Sequence, residues 1–187
     1  MGTIFHHTNI VSPDPERLAE FYKSVFGFEQ SGPQRNLEGD WIERGTGHAG
    51  VRIRGYMLKL PGDDDTHTRL EIFHIDNSAQ SEQPRVNRFG LMHVCFVVDD
   101  VRETMEKLLA AGGSLQGEIV DTGVVPGVGS ADFTYARDPD GNIVELLIDV
   151  IVKTFKPPFQ FREFITQAWF IASVTILPTA LVVDLLN

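Results

Sequence analysis

Four residues of metal-binding types, His7, Glu71, His93 and Glu145, lie on four predicted strands of this 187-residue sequence. They occupy matching places in two copies of an internal repeat, and each copy supplies one histidine and one glutamate. Imidazole nitrogen and carboxylate oxygen are common ligands of divalent metals, and four such groups could hold an ion with positions open for a substrate. The arrangement therefore predicts a metalloenzyme.

The repeat appears at an offset of 86 residues, which places His7 over His93. The interval from His7 to Gly27 equals that from His93 to Gly113, and glycine ends the predicted helix in both copies. Equal spacing of this kind is difficult to obtain from two unrelated segments. Self-similarity at a fixed offset indicates two copies of one supersecondary unit.

Each copy begins with a strand at its histidine, continues into an amphipathic helix and ends in further strands. Asp100 is the predicted N-cap of the second helix, with Glu103 three residues later. The remaining predicted strands are 28–30, 51–60 and 69–76 in the first copy, and 114–117, 132–137 and 142–149 in the second. The predicted fold class is α+β, with two βαβββ modules that form curved mixed sheets around a metal cleft.

Strand alternation predicts which side chains share a face. His7 should share its face with Asn9, and His93 with Cys95, whereas the opposite faces are mostly apolar and should receive the helices. The histidine faces are then left to line the cleft. Cys95 itself is interpreted as a small buried hydrophobe.

Two other histidines compete with the predicted ligands. His6 precedes His7, but alternation should turn its side chain away from the cleft. His74 follows Glu71 by three residues, so it should face the opposite side of its strand. We therefore retain His7 and Glu71.

The composition limits the classes of function. A formal net charge of −10 leaves little basic surface for nucleic acid or an anionic membrane, and 42% hydrophobic residues can supply a core. The single cysteine excludes an internal disulfide framework and fits a reducing compartment. The start of the sequence lacks the pattern of a secretory signal, so the expected location is the cytoplasm.

The predicted organisation has four parts. Residues 1–76 form the first module, 77–88 a polar linker, and 89–150 the second module. Residues 151–187 form an apolar extension, predicted to be helical and to pack on its own domain or on a second subunit, which favours a homodimer. A membrane span is less favoured there because Pro178 and Asp184 interrupt the apolar stretch.

Six segments together resemble the vicinal-oxygen-chelate superfamily, which includes glyoxalase I, methylmalonyl-CoA epimerase, extradiol dioxygenases and fosfomycin-resistance proteins. They are HTNIV at 7–11, ERLAEFY at 16–22, FGF at 26–28, LEIF at 70–73, GLMHV at 90–94 and DPDGNIVEL at 138–146. Each is weak alone, and their combination is specific. The resemblance covers roughly residues 4 to 150 and implies two βαβββ modules around a metal.

The resemblance also implies the ligands and the chemistry. His7, Glu71, His93 and Glu145 match the family's ligand positions, and a donor set of nitrogen and carboxylate oxygen suits Zn, Ni, Co, Mn or Fe(II). In the glyoxalase-like branch the metal polarises a carbonyl of a small oxygenated substrate, and Glu145 or Glu71 moves a proton, as in a lyase or isomerase.

Two alternatives stay open. His7, His93 and Glu145 alone match the two-histidine, one-carboxylate triad of an Fe(II) ring-cleaving dioxygenase, whereas a fourth ligand at Glu71 argues against it. A metal-free protein of the same fold that binds a small molecule is the third reading. Glu71 therefore decides between the two enzymes.

Several secondary candidates are weaker. Glu43 is an outside candidate for the base, although an exposed loop carboxylate is the simpler interpretation. Arg52, Arg54 and Arg137 could meet a substrate carboxylate or phosphate, but solvated strand positions account for them as well. Residues 124–129 are rich in glycine and proline and predict a loop near the cleft.

Overall fold

The computed structural model describes residues 2–62, 68–79, 82–123 and 131–149, together with 165, 166 and 169. The chain divides into two compact units, Met1–Ile148 and Asp149–Asn187. The predicted loop at 124–129, and all but three residues of the predicted extension at 151–187, lie outside the described residues. The fold described below is that of the first unit, with β10 continuing to Asp149.

The first module contains two helices, of which the second is short, and five strands. The second module contains one helix and five strands. The first contains β1 (His7–Val11), α1 (Pro15–Phe26), β2 (Glu29–Gln30), β3 (Arg35–Leu37), α2 (Asp40–Thr46), β4 (Ile53–Lys59) and β5 (Arg69–Ile75). The second contains β6 (His93–Val97), α3 (Val101–Ala110), β7 (Ser114–Leu115), β8 (Val120–Asp121), β9 (Ala131–Arg137) and β10 (Ile143–Asp149).

The two sheets have the same topology. The strand order is β1-β5-β4-β2 in one sheet and β6-β10-β9-β7 in the other, and β3 and β8 add to β4 and β9. In each sheet the first strand lies at an edge and pairs in parallel with the last. The predicted α+β fold with two βαβββ modules is confirmed.

Three short elements were not predicted, namely β3, α2 and β8. They have three, seven and two residues, which is too short for a period of two or 3.6 residues to be recognised. The interpretation of Glu43 as a loop carboxylate is wrong in this respect, because Glu43 lies on α2.

Helix ends follow the predicted capping chemistry. The Asp100 carboxylate accepts hydrogen bonds from the backbone N–H groups of Arg102 and Glu103, at 2.8 and 3.1 Å. Asp14 caps α1 in the same way through Arg17. Gly27 ends α1 with φ of 74°, a left-handed conformation that glycine adopts without a steric penalty.

One hydrophobic core joins the two modules. Buried residues of α1, α3 and both sheets belong to a single cluster. Phe96, from β6 of the second module, contacts the rings of Tyr22, Phe26 and Phe28 from the first, with centroids 4.4 to 6.3 Å apart. The faces opposite the histidines are therefore the ones that bury the helices, as alternation predicted.

A polar contact also joins the modules, at the turn that leads into β10. Asp138 is 2% exposed and accepts hydrogen bonds from the Tyr22 hydroxyl, at 3.1 Å, and from the backbone N–H of Asn142, at 2.9 Å. The neighbouring Asp140 accepts from Ser12 and Arg17. First-module side chains thus hold the turn that sets the position of the Glu145 strand.

Burial changes the acidity of both partners in this contact. It raises the pKa of Asp138 above its usual value, against the hydrogen bonds from Asn142 and Tyr22. The pKa of the Tyr22 phenol lies well above 10, first because the ring is buried and then because the Asp138 carboxylate is close. Tyr22 therefore stays neutral and acts as a donor.

Within the described part of the chain, no helix combines the length and the apolar character that a bilayer crossing requires.

Candidate metal centre

Strand pairing brings His7 and Glu71 together in the first sheet. In the parallel register of β1 and β5, Glu71 lies opposite Asn9, so its carboxylate reaches the side chains on that face of β1. The His7 Nε2 and Glu71 Oε2 atoms are 3.4 Å apart, and the Asn9 amide approaches the same oxygen at 3.4 Å. The Glu71 side chain is 13% exposed and that of His7 42%.

The second sheet repeats the arrangement with a shorter contact. Glu145 lies opposite Cys95 in the register of β6 and β10, and the His93 Nε2 and Glu145 Oε2 atoms are 2.9 Å apart. The strand positions are equivalent to those of the first pair. The four predicted residues thus form two histidine–glutamate pairs, one in each sheet.

Cys95 contacts the second pair. Its thiol donates a hydrogen bond to Glu145. Desolvation, followed by the charge of that carboxylate, raises the pKa of Cys95 to about 12. The residue is exposed, so its interpretation as a small buried hydrophobe is wrong. A thiol this weakly acidic stays protonated at neutral pH and donates to Glu145.

Tyr135 also belongs to this site, although the sequence did not single it out. Its ring centroid lies 5.3 Å from that of His93. Desolvation raises the pKa of its phenol, and the nearby charges of Glu145 and Cys95 raise it further. The alternation of β9 was the available signal, since Thr134 and Ala136 are buried in the core and Tyr135 must face the other way.

The competing histidines behave differently from each other. His74 faces away from Glu71, as predicted, with its Nδ1 atom 3.2 Å from the Ser12 carbonyl oxygen. The expectation that His6 turns away is wrong, because the Nδ1 atoms of His6 and His7 are 2.7 Å apart and their rings meet edge to face. His6 precedes β1, so strand alternation does not govern its side chain.

The two pairs lie on the strands nearest the junction of the sheets. A pocket of about 170 Å³ is lined by residues of both β1 and β6, the edge strands that carry the two histidines. Among the residues that the structure describes, no three histidine, cysteine or carboxylate side chains gather closely enough to hold a metal. The structure thus brings together two ligands at each of two places.

The donor set nevertheless fits a divalent metal. Both pairs turn an Nε2 atom towards a carboxylate oxygen, so a nitrogen and an oxygen that can each ligate a divalent cation lie side by side. The His93 Nδ1 atom is buried and has no hydrogen-bond partner among the described residues. An unpaired buried polar atom beside a candidate ligand is costly and is typical of functional sites.

The secondary candidates have structural roles instead. Arg54 pairs with Asp76, and Arg137 donates to Gln116 and to two backbone carbonyls. Arg52 pairs with Glu38 and lines an open pocket with Glu43, away from both histidine–glutamate pairs. Arg54 and Arg137 lie on strands, Arg52 lies one residue before β4, and the side chains of all three have protein partners.

Comparison with known proteins identifies the family of this chain. The profile of the Glyoxalase/Bleomycin resistance protein/Dioxygenase superfamily matches residues 4–146. A probable lactoylglutathione lyase from Vibrio parahaemolyticus is 27% identical over 141 residues, which are 75% of this chain and 87% of the relative.

Two solved structures share the fold. A glyoxalase family protein from Bacillus cereus aligns with a TM-score of 0.63 and 25% identity, over 78% of this chain and 92% of that one. A glyoxalase I mutant from Zea mays aligns with a TM-score of 0.52 and 20% identity, over 81% of this chain and 48% of the longer maize chain. On its sequence match and its paired modules, this chain belongs to the Glyoxalase/Bleomycin resistance protein/Dioxygenase superfamily.

Proposed function

We propose that this protein is a metal-dependent lyase or isomerase of the glyoxalase type, which moves a proton next to a carbonyl group of a small oxygenated substrate. One observation carries the proposal. Each sheet places a histidine and a glutamate in contact at the same strand positions, next to the junction between the sheets. Distant relatives named lactoylglutathione lyase support the same reaction class.

His7, Glu71, His93 and Glu145 would hold the metal. Two ligands are too few for a stable protein site, since such sites use three or four, and both pairs are therefore required. Nitrogen and carboxylate oxygen suit Zn, Ni, Co, Mn or Fe(II). When bound, the ion would polarise the substrate carbonyl and make the adjacent proton more acidic.

Glu71 is our first choice for the base that moves the proton, and Glu145 the second. Glu71 has only long contacts, at 3.4 Å with both His7 and Asn9, so it can change partners at little cost. Glu145 is held by His93 at 2.9 Å and by the Cys95 thiol. The better-held carboxylate suits a permanent ligand, and the looser one suits a group that binds and releases a proton.

A homodimer is part of the proposal. Four apolar side chains next to the first strands are widely exposed, with Ile4, Phe5, Phe89 and Leu91 between 68 and 104% accessible. Exposed apolar side chains favour association when a second surface can cover them. A second copy would cover them, and the metal site could then take its two pairs from one chain or from both.

Exchange of the proton next to the carbonyl of lactoylglutathione with solvent deuterium, followed by NMR, tests the proposed proton transfer directly, because this exchange requires no net conversion. Protein stripped with a chelator should be inactive, and one of the five metals should restore turnover. Glu71→Ala should abolish the restored activity, whereas Glu106→Ala, which removes an exposed carboxylate on α3, should leave it unchanged. Together the two variants separate loss of the site from loss of one negative charge.

Three outcomes would contradict the proposal. No gain of activity or of thermal stability with any of the five metals would favour the metal-free binding protein. Activity that survives Glu71→Ala would remove the four-ligand site. Retention of Fe(II) by that variant, together with oxygen consumption on catechols, would support the dioxygenase.

A further inference from the structure

The first sheet carries a pocket beside Glu71. Its volume is about 420 Å³, within the range of small-molecule sites, and it lies on the same face as Glu71. Six of its nine lining residues are apolar, namely Leu37, Ile42, Ile53, Met57, Phe73 and Ile75. The unpredicted elements β3 and α2 supply Leu37 and Ile42, and the three polar lining residues are Asn9, Arg35 and Glu71.

Arg35 is the unusual member of this lining. Five arginines are half-buried among the described residues: Arg35, Arg52, Arg54, Arg69 and Arg137. The last four donate hydrogen bonds to side chains or backbone carbonyls. Arg35 makes no ion pair or hydrogen bond through its side chain with any residue that the structure describes.

A guanidinium group that is partly removed from water needs an acceptor, because it carries five N–H donors and a permanent charge. The residue opposite Arg35 on β4 is Gly55, so no side chain stands across from it on that face. Glu71, the carboxylate in the same pocket, is held by His7 and Asn9 instead. The described residues therefore leave the Arg35 guanidinium available to an anion that enters with a ligand.

We propose that Arg35 binds the carboxylate of an apolar, monoanionic substrate whose hydrocarbon part fills this pocket. The position of the substrate's reacting end rests on the proposed function, because the proposed function places the substrate oxygen at the metal beside Glu71. The anion site itself does not depend on the metal. Arg35 is then a specificity residue, which selects the substrate and takes no part in the proton transfer.

The distance between Arg35 and Glu71 sets the size of the substrate. Arg35 lies opposite Gly55, which lies opposite Phe73, two residues beyond Glu71. Two strand spacings of about 4.8 Å and a two-residue step of about 6.7 Å separate their Cα atoms by roughly 12 Å. Both side chains extend into this space, so a chain of several carbons would span the remainder.

A carboxylate fits better than a phosphate. One guanidinium balances one negative charge, and Arg35 is the only cationic residue among those that line the described pocket. A phosphate monoester carries nearly two charges at neutral pH and would meet Glu71 and a chain of net charge −10. The bidentate geometry of arginine suits a carboxylate equally well.

Three matched probes test the inference on the full chain. Hexanoate, hexanamide and hexyl phosphate each carry an unbranched apolar chain of five or six carbons and differ in charge. Binding is measured by calorimetry or NMR titration in chelator, so that no metal contributes. Wild-type protein should bind hexanoate at least tenfold more tightly than hexanamide or hexyl phosphate, and Arg35→Gln should remove this preference. Arg102→Gln, at an exposed position of α3, is the matched control and should retain it.

Several outcomes would overturn the inference, and one other would overturn only the proposed function. Equal binding of hexanoate and hexanamide, or no binding of hexanoate, would show that no anion site exists. This comparison uses the wild-type protein alone, so it does not depend on the folding of a variant. A preference for hexyl phosphate would replace the carboxylate assignment. Unchanged selectivity in Arg35→Gln would place the anion elsewhere. Failure of the metal to bind, with hexanoate selectivity intact, would contradict the proposed function and leave this inference standing.

Discussion

The two histidine–glutamate pairs occupy equivalent strand positions but differ in how firmly they are held. The His93–Glu145 contact is 2.9 Å long, and a thiol and a phenol lie beside it. The His7–Glu71 contact is 3.4 Å long, and its histidine is more exposed, with 42% of the side chain accessible against 26% for His93. The two pairs therefore share equivalent strand positions, but the side chains around them differ.

The difference has a structural origin in the side chain opposite each glutamate. Asn9 faces Glu71 and offers one long hydrogen bond, whereas Cys95 faces Glu145 and donates its thiol proton. The first sheet also carries β3 and α2, which build the apolar pocket of Arg35. We infer that the two sheets have different roles: the second sheet anchors the metal, and the first sheet binds the substrate and moves the proton.

The largest expected effect concerns metal affinity. His93→Ala and Glu145→Ala should weaken binding of the divalent ion by more than about 100-fold, because loss of an outer-sphere partner alone costs 10- to 100-fold. His7→Ala and Glu71→Ala should weaken it less, but by more than about tenfold. Titration with a competing chelator measures all four variants. Equal losses of metal affinity for the variants of the two sheets would contradict this difference in roles.

The aromatic contacts between modules should give the next largest effect. Phe96→Ala should lower the free energy of unfolding by about 3 kcal/mol, since it leaves a cavity among three rings of the first module. Ile10 occupies the equivalent strand position in the first copy, and Ile10→Ala should cost about 2 kcal/mol. Urea denaturation compares them, and a larger loss for Ile10→Ala would reverse the expected order.

The Tyr22–Asp138 contact predicts a dependence on alkaline pH. Tyr22→Phe should cost about 1 kcal/mol at pH 7, the value of one hydrogen bond. The folded-state pKa of Tyr22 is raised, so its stabilisation is complete below pH 10 and is lost as the pH rises from 10 through the raised value.

The wild type should therefore lose about 1.4 kcal/mol for each pH unit above 10 relative to Tyr22→Phe. The variant should become as stable as the wild type near pH 11. Thermal denaturation at pH 7, 10 and 11 measures this convergence. A constant difference between the two proteins across that range would show that Tyr22 is not buried as the structure indicates.

The smallest effect is expected at Asn9. Asn9→Ala should weaken metal binding only about twofold, corresponding to ~0.5 kcal/mol, because its hydrogen bond to Glu71 is at the long limit. Chelator competition again provides the measurement. A loss as large as that of Glu71→Ala would show that Asn9, and with it the first sheet, orients the metal ligand more firmly than we infer.

Regular periodicity made most of the fold predictable. The 86-residue offset and the alternation around His7 and His93 predicted the modules and the faces that receive the helices. The elements β3, α2 and β8 escaped prediction because they are too short to show a period. Domain boundaries within the linker and the extension stay predictions.

The site was less predictable than the fold. Tyr135 and Arg35 belong to no spaced motif, and their relevance depends on contacts across the sheet that only tertiary structure reveals. Arg52, Arg54 and Arg137 looked equally suited to an anion, and the structure distinguishes them from Arg35 by their protein partners. Sequence patterns likewise give no measure of the separation between the two pairs.

The account depends most on both pairs binding one metal ion together. Native mass spectrometry of chelator-treated protein titrated with Zn counts the ions bound to each chain, whatever the oligomeric state. We predict one ion per chain for the wild type and, at equimolar Zn, a lower occupancy for both Glu71→Ala and Glu145→Ala, with the larger loss for Glu145→Ala. Two ions per chain, or unchanged occupancy in Glu71→Ala, would show that the pairs do not share a site and would contradict the account.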